Sequence, residues 1–102
     1  MSVVYVLMSG EGEHSDRHED PVAVYTDEAR ALAASDALND IACKRNAALH
    51  AEMDSLRSAN VGSLYASIDR RRAVSAPFYE EARALGFDLR DDYCVVEVEM
   101  KG

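Results

Sequence analysis

Hydrophobic and polar positions change period several times along the chain. "VVYVLM", residues 3–8, is β-branched and aromatic and runs into Ser9-Gly10, the signature of a strand. "VAVY", residues 22–25, reads as a second strand, with Pro21 at its mouth, where a missing N–H is tolerated. From Asp27 the spacing becomes helical: Ala31, Ala34, Leu38, Ile41 and Ala42 fall on one face, and Leu49, Met53 and Leu56 continue it. Thr26 or Asp27 suits the cap, and Asp27 and Glu28 suit the positive end of the helix dipole. No Gly or Pro interrupts residues 27–60, so the pattern predicts one helix of about 30 residues, roughly 45 Å long.

Asn60 and Gly62 mark a break. Val61, Leu64, Tyr65 and Ile68 then restore helical spacing, which predicts a helix folding back on the first as a hairpin. "SAPFYEEARALG" reads as a third helix, with Ser75 as cap, Pro77 in the first turn, Phe78, Ala82 and Leu85 as the buried stripe and Gly86 as the stop. In "DDYCVVEVEM", Cys94, Val96, Val98 and Met100 share one face of a last strand, and Tyr93, Val95, Glu97 and Glu99 share the other. The expected fold is therefore one α+β domain over residues 1–102, in the order β-β-α-α-α-β. It has a three-stranded antiparallel sheet with the first strand central, helices on one face, and a projecting helical hairpin.

Composition adds limits. The chain has 102 residues, 48% hydrophobic and 29% charged, the balance of a folded globular domain. No stretch approaches a membrane helix, and the start lacks the basic and apolar regions of a signal peptide. Cys43 and Cys94, with no CxxC around them, read as reduced, mostly buried thiols of a cytoplasmic protein. The net charge is −8, unevenly spread: residues 9–20 carry −4, while residues 40–72 carry +2. An acidic domain repels nucleic acid and is drawn to basic protein surfaces.

The densest chemistry is "EGEHSDRHED", with Glu11, Glu13, Asp16, Glu19 and Asp20 beside His14 and His18. H-x3-H would present two imidazoles to zinc on a helix, but Gly12 and Ser15 and the lack of apolar periodicity argue for a loop. The preferred reading is a solvated acidic loop, with partner contact as the functional alternative and a metal site on His14 and His18 behind it. "DRRRA", residues 69–73, reads as cations near a helix C-terminus or as an anion site. Met53, Leu64 and Tyr65, with His50, fall near the tip or seam of the helical hairpin, either packing it or marking a partner site. Walker, G-x-S-x-G and HExxH motifs are missing, and neighbouring acids such as Glu80-Glu81 do not face each other on a helix. The sequence calls for no catalytic residue and no cofactor.

"VVYVLMSG", "VAVYTDEARALA" and the closing "YCVVEVEM" together resemble small phage-encoded accessory proteins of unknown function. Those begin with a Val-Tyr-Val-Leu-like strand, cross an acidic loop and enter a helix through Val-Tyr-Thr-x-Glu-x-Ala. The resemblance covers about 40 residues at the two ends and brings no catalytic residues. It implies a small accessory protein, one that inhibits a host factor. The leading expectation is a non-enzymatic, cytoplasmic protein-binding module acting on a larger host or phage protein, and its most concrete version is a phage-encoded inhibitor such as an anti-CRISPR or other anti-defence protein. Two other classes stand beside this reading: a metal- or small-ligand-binding protein using the acidic loop, and a self-assembling protein that dimerises through the long helix.

Overall fold

The computed structural model describes the backbone of residues 2–12, 14–58 and 64–100, with their side chains except at 14, 56–58 and 64–67. The elements are β1 (Ser2–Glu11), a 3₁₀ turn (His14–Asp16), β2 (His18–Tyr25), α1 (Glu28–Ser58), α2 (Leu64–Ala84) and β3 (Asp92–Met100). The class is α+β, with a three-stranded antiparallel sheet in the order β2-β1-β3. The chain divides into two compact units, one of Met1–Asp40 with Arg90–Gly102 and one of Ile41–Leu89.

In the first unit the sheet turns the odd positions of β1 inward. Leu7 and Ser9 are buried there, and their cross-strand partners on β3, Val95 and Tyr93, share that face. The first turns of α1 bury Ala31, Ser35 and Leu38. Asp27 caps the helix, its Oδ1 accepting from the Ala29 N–H at 2.9 Å. Asn39 ties helix to sheet. Its side-chain amide donates to the Tyr93 carbonyl at 2.9 Å, and its Oδ1 accepts from the Tyr93 N–H at 2.8 Å.

In the second unit the later part of α1 and α2 run antiparallel. Arg45 lies over the Tyr79 ring at 5.8 Å, and Glu52 pairs with Arg70 at 3.8 Å. Ile41, Ala42, Ala82 and Leu89 are buried, together with Arg45. Gly86, at φ 92°, closes α2: its N–H bonds Arg83 and the Phe87 N–H reaches back to Ala82. That pair of bonds is a Schellman stop, for which glycine accepts the left-handed backbone.

The structure corrects the element list. Two helices replace the expected three, because α2 runs through Ser75 and Pro77 without a break. Ser75 does not cap a new helix. Its hydroxyl donates backward to the Arg71 carbonyl at 2.8 Å, with the Arg72 carbonyl at 3.2 Å. The carbonyl that Pro77 leaves without its helical donor is that of Ala73, four residues back, and Ser75 bonds the two carbonyls before it. Leu85, expected in the buried stripe, is exposed. Both cysteines are exposed as well, Cys43 falling just off the buried face of α1 and Cys94 lying on the outer face of the sheet. The Asn60–Gly62 break lies outside the described residues.

Candidate protein-binding surface

The acidic stretch is less of a loop than its composition suggests. β1 extends to Glu11 and β2 begins at His18, so Glu11, Glu19 and Asp20 lie on strands. The turn between them needs Gly12, at φ 94°, where an added Cβ would come 2.7 Å from the Asp16 carbonyl. Side chains stitch this end to the start of β3. Arg17 pairs with Asp92 at 2.6 Å and with Glu19 at 3.3 Å, passing over Gly10, which has no side chain to obstruct it. The hydrogen bond that Arg17 donates to Asp92, then the one it donates to Glu19, raises the Arg17 pKa further above its ordinary value. Arg90 pairs with Glu11, and the Gly12 N–H donates to Asp91 at 3.0 Å. Local cations therefore engage Glu11 and Glu19, while Asp16 and Asp20 stay exposed. Glu13 lies outside the described residues.

His14 belongs to the 3₁₀ turn and its side chain lies outside the described residues. His18 is on β2, its Nδ1 3.2 Å from the Asp16 carbonyl. The H-x3-H spacing thus falls across a turn and a strand and loses its helical geometry. Among the described residues, no group of three or more His, Cys, Asp or Glu side chains is gathered as for a metal ion.

On the helical pair, Met53 is exposed and shares an open depression of about 240 Å³ with Asn46, Leu49, His50 and Arg71. The side chains of Leu64 and Tyr65 lie outside the described residues. "DRRRA" sits in the middle of α2 and not at a helix end: Arg70 reaches Glu52, and Arg72 lines a second depression.

The feature that sequence reasoning missed is the outer face of the sheet. Val4, Val6 and Met8 of β1 align there with Val98, Val96 and Cys94 of β3, and Val24 of β2 lies opposite Val6. Exposure reaches 64% at Val24, 44% at Val96, 38% at Val98 and 50% at Met100. Among the described residues of this face, charge returns at the Gly10 end, with Asp92, Glu19 and the Arg17 that bridges them. The alternation of β3 had shown two faces without saying which is covered. The inner face is the one bearing Glu97 and Glu99, covered at its Tyr93 end, so the apolar stripe points outward.

On the inner face, Tyr5 lies opposite Tyr25 on one side and Glu97 on the other. Desolvation first, and then the Glu28 and Glu97 carboxylates, raise its hydroxyl pKa.

Compared with protein-family models, curated proteins and solved structures, the chain matches none of them. No helix among the described residues is long and apolar enough to cross a membrane.

Proposed function

We propose that this is a non-enzymatic protein-binding module that seats the outer face of its sheet on a larger protein with a basic surface. The observation that carries this reading is the uncovered apolar run Val24, Val96, Val98 and Met100. A face of that kind gains by leaving water, while exposed apolar residues scattered singly need no such account. The net charge of −8 supplies long-range attraction toward a basic partner. Asp16 and Asp20, exposed on the hairpin, contribute to that steering, and Met53 on the helical pair offers a second apolar contact. In its most concrete form, resting on the resemblance of the two chain ends, the module is a phage-encoded inhibitor acting in the host cytoplasm against a defence system.

The test is capture by tagged protein from host lysate, washed at low and moderate salt. The parent chain should retain one stoichiometric partner, and Val24→Ser with Val96→Ser should lose it while keeping the parent's circular dichroism. No partner at either salt, or equal retention by the folded variant, defeats the reading. With a captured partner in hand, reversing Asp16 and Asp20 to Lys should slow association about tenfold at low salt and flatten its salt dependence. On-rates that ignore ionic strength would exclude the steering role.

A further inference from the structure

The sheet has two edges, and they are treated differently. β2 carries Pro21, which has no N–H to offer, and an irregularity where β1 steps between Leu7 and Met8. Both features are standard protection against pairing with a stray strand. β3 pairs with β1 in unbroken register from Asp92 to Met100 and contains neither proline nor bulge.

Asn39 reveals which β3 backbone groups face outward. It takes both the N–H and the C=O of Tyr93, so both point away from β1. In an antiparallel ladder this orientation repeats every second residue. Val95, Glu97 and Glu99 therefore also aim N–H and C=O out of the sheet. Asn39 occupies the first of these positions as a strand residue would, and among the described residues no backbone hydrogen bond from outside the sheet reaches the following ones.

The side chains along this open edge specify what fits. Glu97 and Glu99 are exposed on the inner face, and the field of Glu97 acts on Tyr5 together with those of Glu28 and Asp27. Val96, Val98 and Met100 are exposed on the outer face. A second copy pairing antiparallel through β3 about Glu97 or Val98 would set glutamate against glutamate, which is unfavourable. We infer that the β3 edge from Val95 to Glu99 receives an extended partner segment in antiparallel pairing, with Lys or Arg at the positions facing Glu97 and Glu99 and apolar residues between them. Backbone bonds supply affinity in such strand addition, and alternate side chains supply selectivity. The basic residues complement the glutamates, and the apolar ones continue the outer face.

This inference rests on the protein-binding reading and names the kind of segment bound. The probe is a blocked peptide, Thr-Lys-Val-Lys-Val-Lys-Thr, titrated into the full chain at low salt and compared with its Lys-to-Glu counterpart. The basic peptide should bind and the acidic one should not. Glu97→Lys with Glu99→Lys should weaken the basic peptide about tenfold and admit the acidic one. N-methylation at the Lys positions, whose amides face β3, should abolish binding, and the same change at the Val positions should leave it intact. Failure of the basic peptide to bind, indifference to the charge swap, or equal sensitivity at both sets of amides overturns the inference. If the Val24→Ser, Val96→Ser protein still loses a captured partner in that event, the edge inference falls alone and the protein-binding reading stands.

Discussion

Asn39 gives the sharpest case of a single residue holding two elements together. Its side-chain amide fits the peptide geometry of Tyr93 at both ends. Asn39→Ala leaves a strand N–H and C=O without those bonds and should cost about 2 kcal/mol in urea denaturation. An unchanged midpoint would mean that water replaces the amide without loss. Tyr5 makes the second prediction at this scale. Its folded pKa is raised, chiefly by desolvation and then by Glu28 and Glu97. The protonated form is favoured in the fold, so its stabilising share is whole below about pH 10, where the unfolded tyrosine titrates. That share is lost as the pH climbs from there through the folded pKa. Tyr5→Phe should therefore lose less stability above pH 10 than the parent, followed by denaturation at stepped pH; parallel curves would refute the assignment. Arg45, buried at 6% exposure, shows what one residue type hides from sequence reading. A charged side chain inside a helical repeat reads as solvated face, yet this one is buried with its head over the Tyr79 ring.

At the level of elements, legibility followed the strength of local signals. β1, the cap at Asp27, the unbroken 31-residue α1 and the Gly86 stop were all present in residue type and spacing. Three features were not. Glu11, His18, Glu19 and Asp20 are poor strand formers that join the β1–β2 ladder because each finds a cross-strand partner there and because Arg17 engages Glu19 and Arg90 engages Glu11. "SAPF" looks like a helix start, but the turns of α2 on either side carry Pro77 in a helical interior. The outward stripe of β3 has the alternation of any half-buried strand, and only tertiary packing decides which half is covered. The proline yields a further test. Pro77→Ala restores a donor and should stabilise the fold by about 1–3 kcal/mol in thermal or urea unfolding. A destabilised variant would show that the ring's own packing matters more than the missing bond.

At the scale of the whole molecule, an acidic chain joins a three-stranded sheet to a pair of antiparallel helices. The outer face and one edge of that sheet meet along β3, so one strand carries both the apolar surface and the open backbone of the proposed interface. The same strand also governs how the sheet comes into being. β1 and β2 are joined by a short turn, but the β1–β3 ladder couples residue 2 to residue 100. Closing a loop of that length costs about 2 kcal/mol more chain entropy than closing the hairpin. The β1–β2 hairpin and the helices are local and quick to form, whereas docking of β3 spans nearly the whole sequence. In kinetic terms, folding should be limited by the arrival of β3. Substitutions that weaken the β1–β2 turn should then slow refolding, and those on the outer face of β3 should mainly hasten unfolding. The strand proposed to recruit a partner would be the last to complete its own sheet.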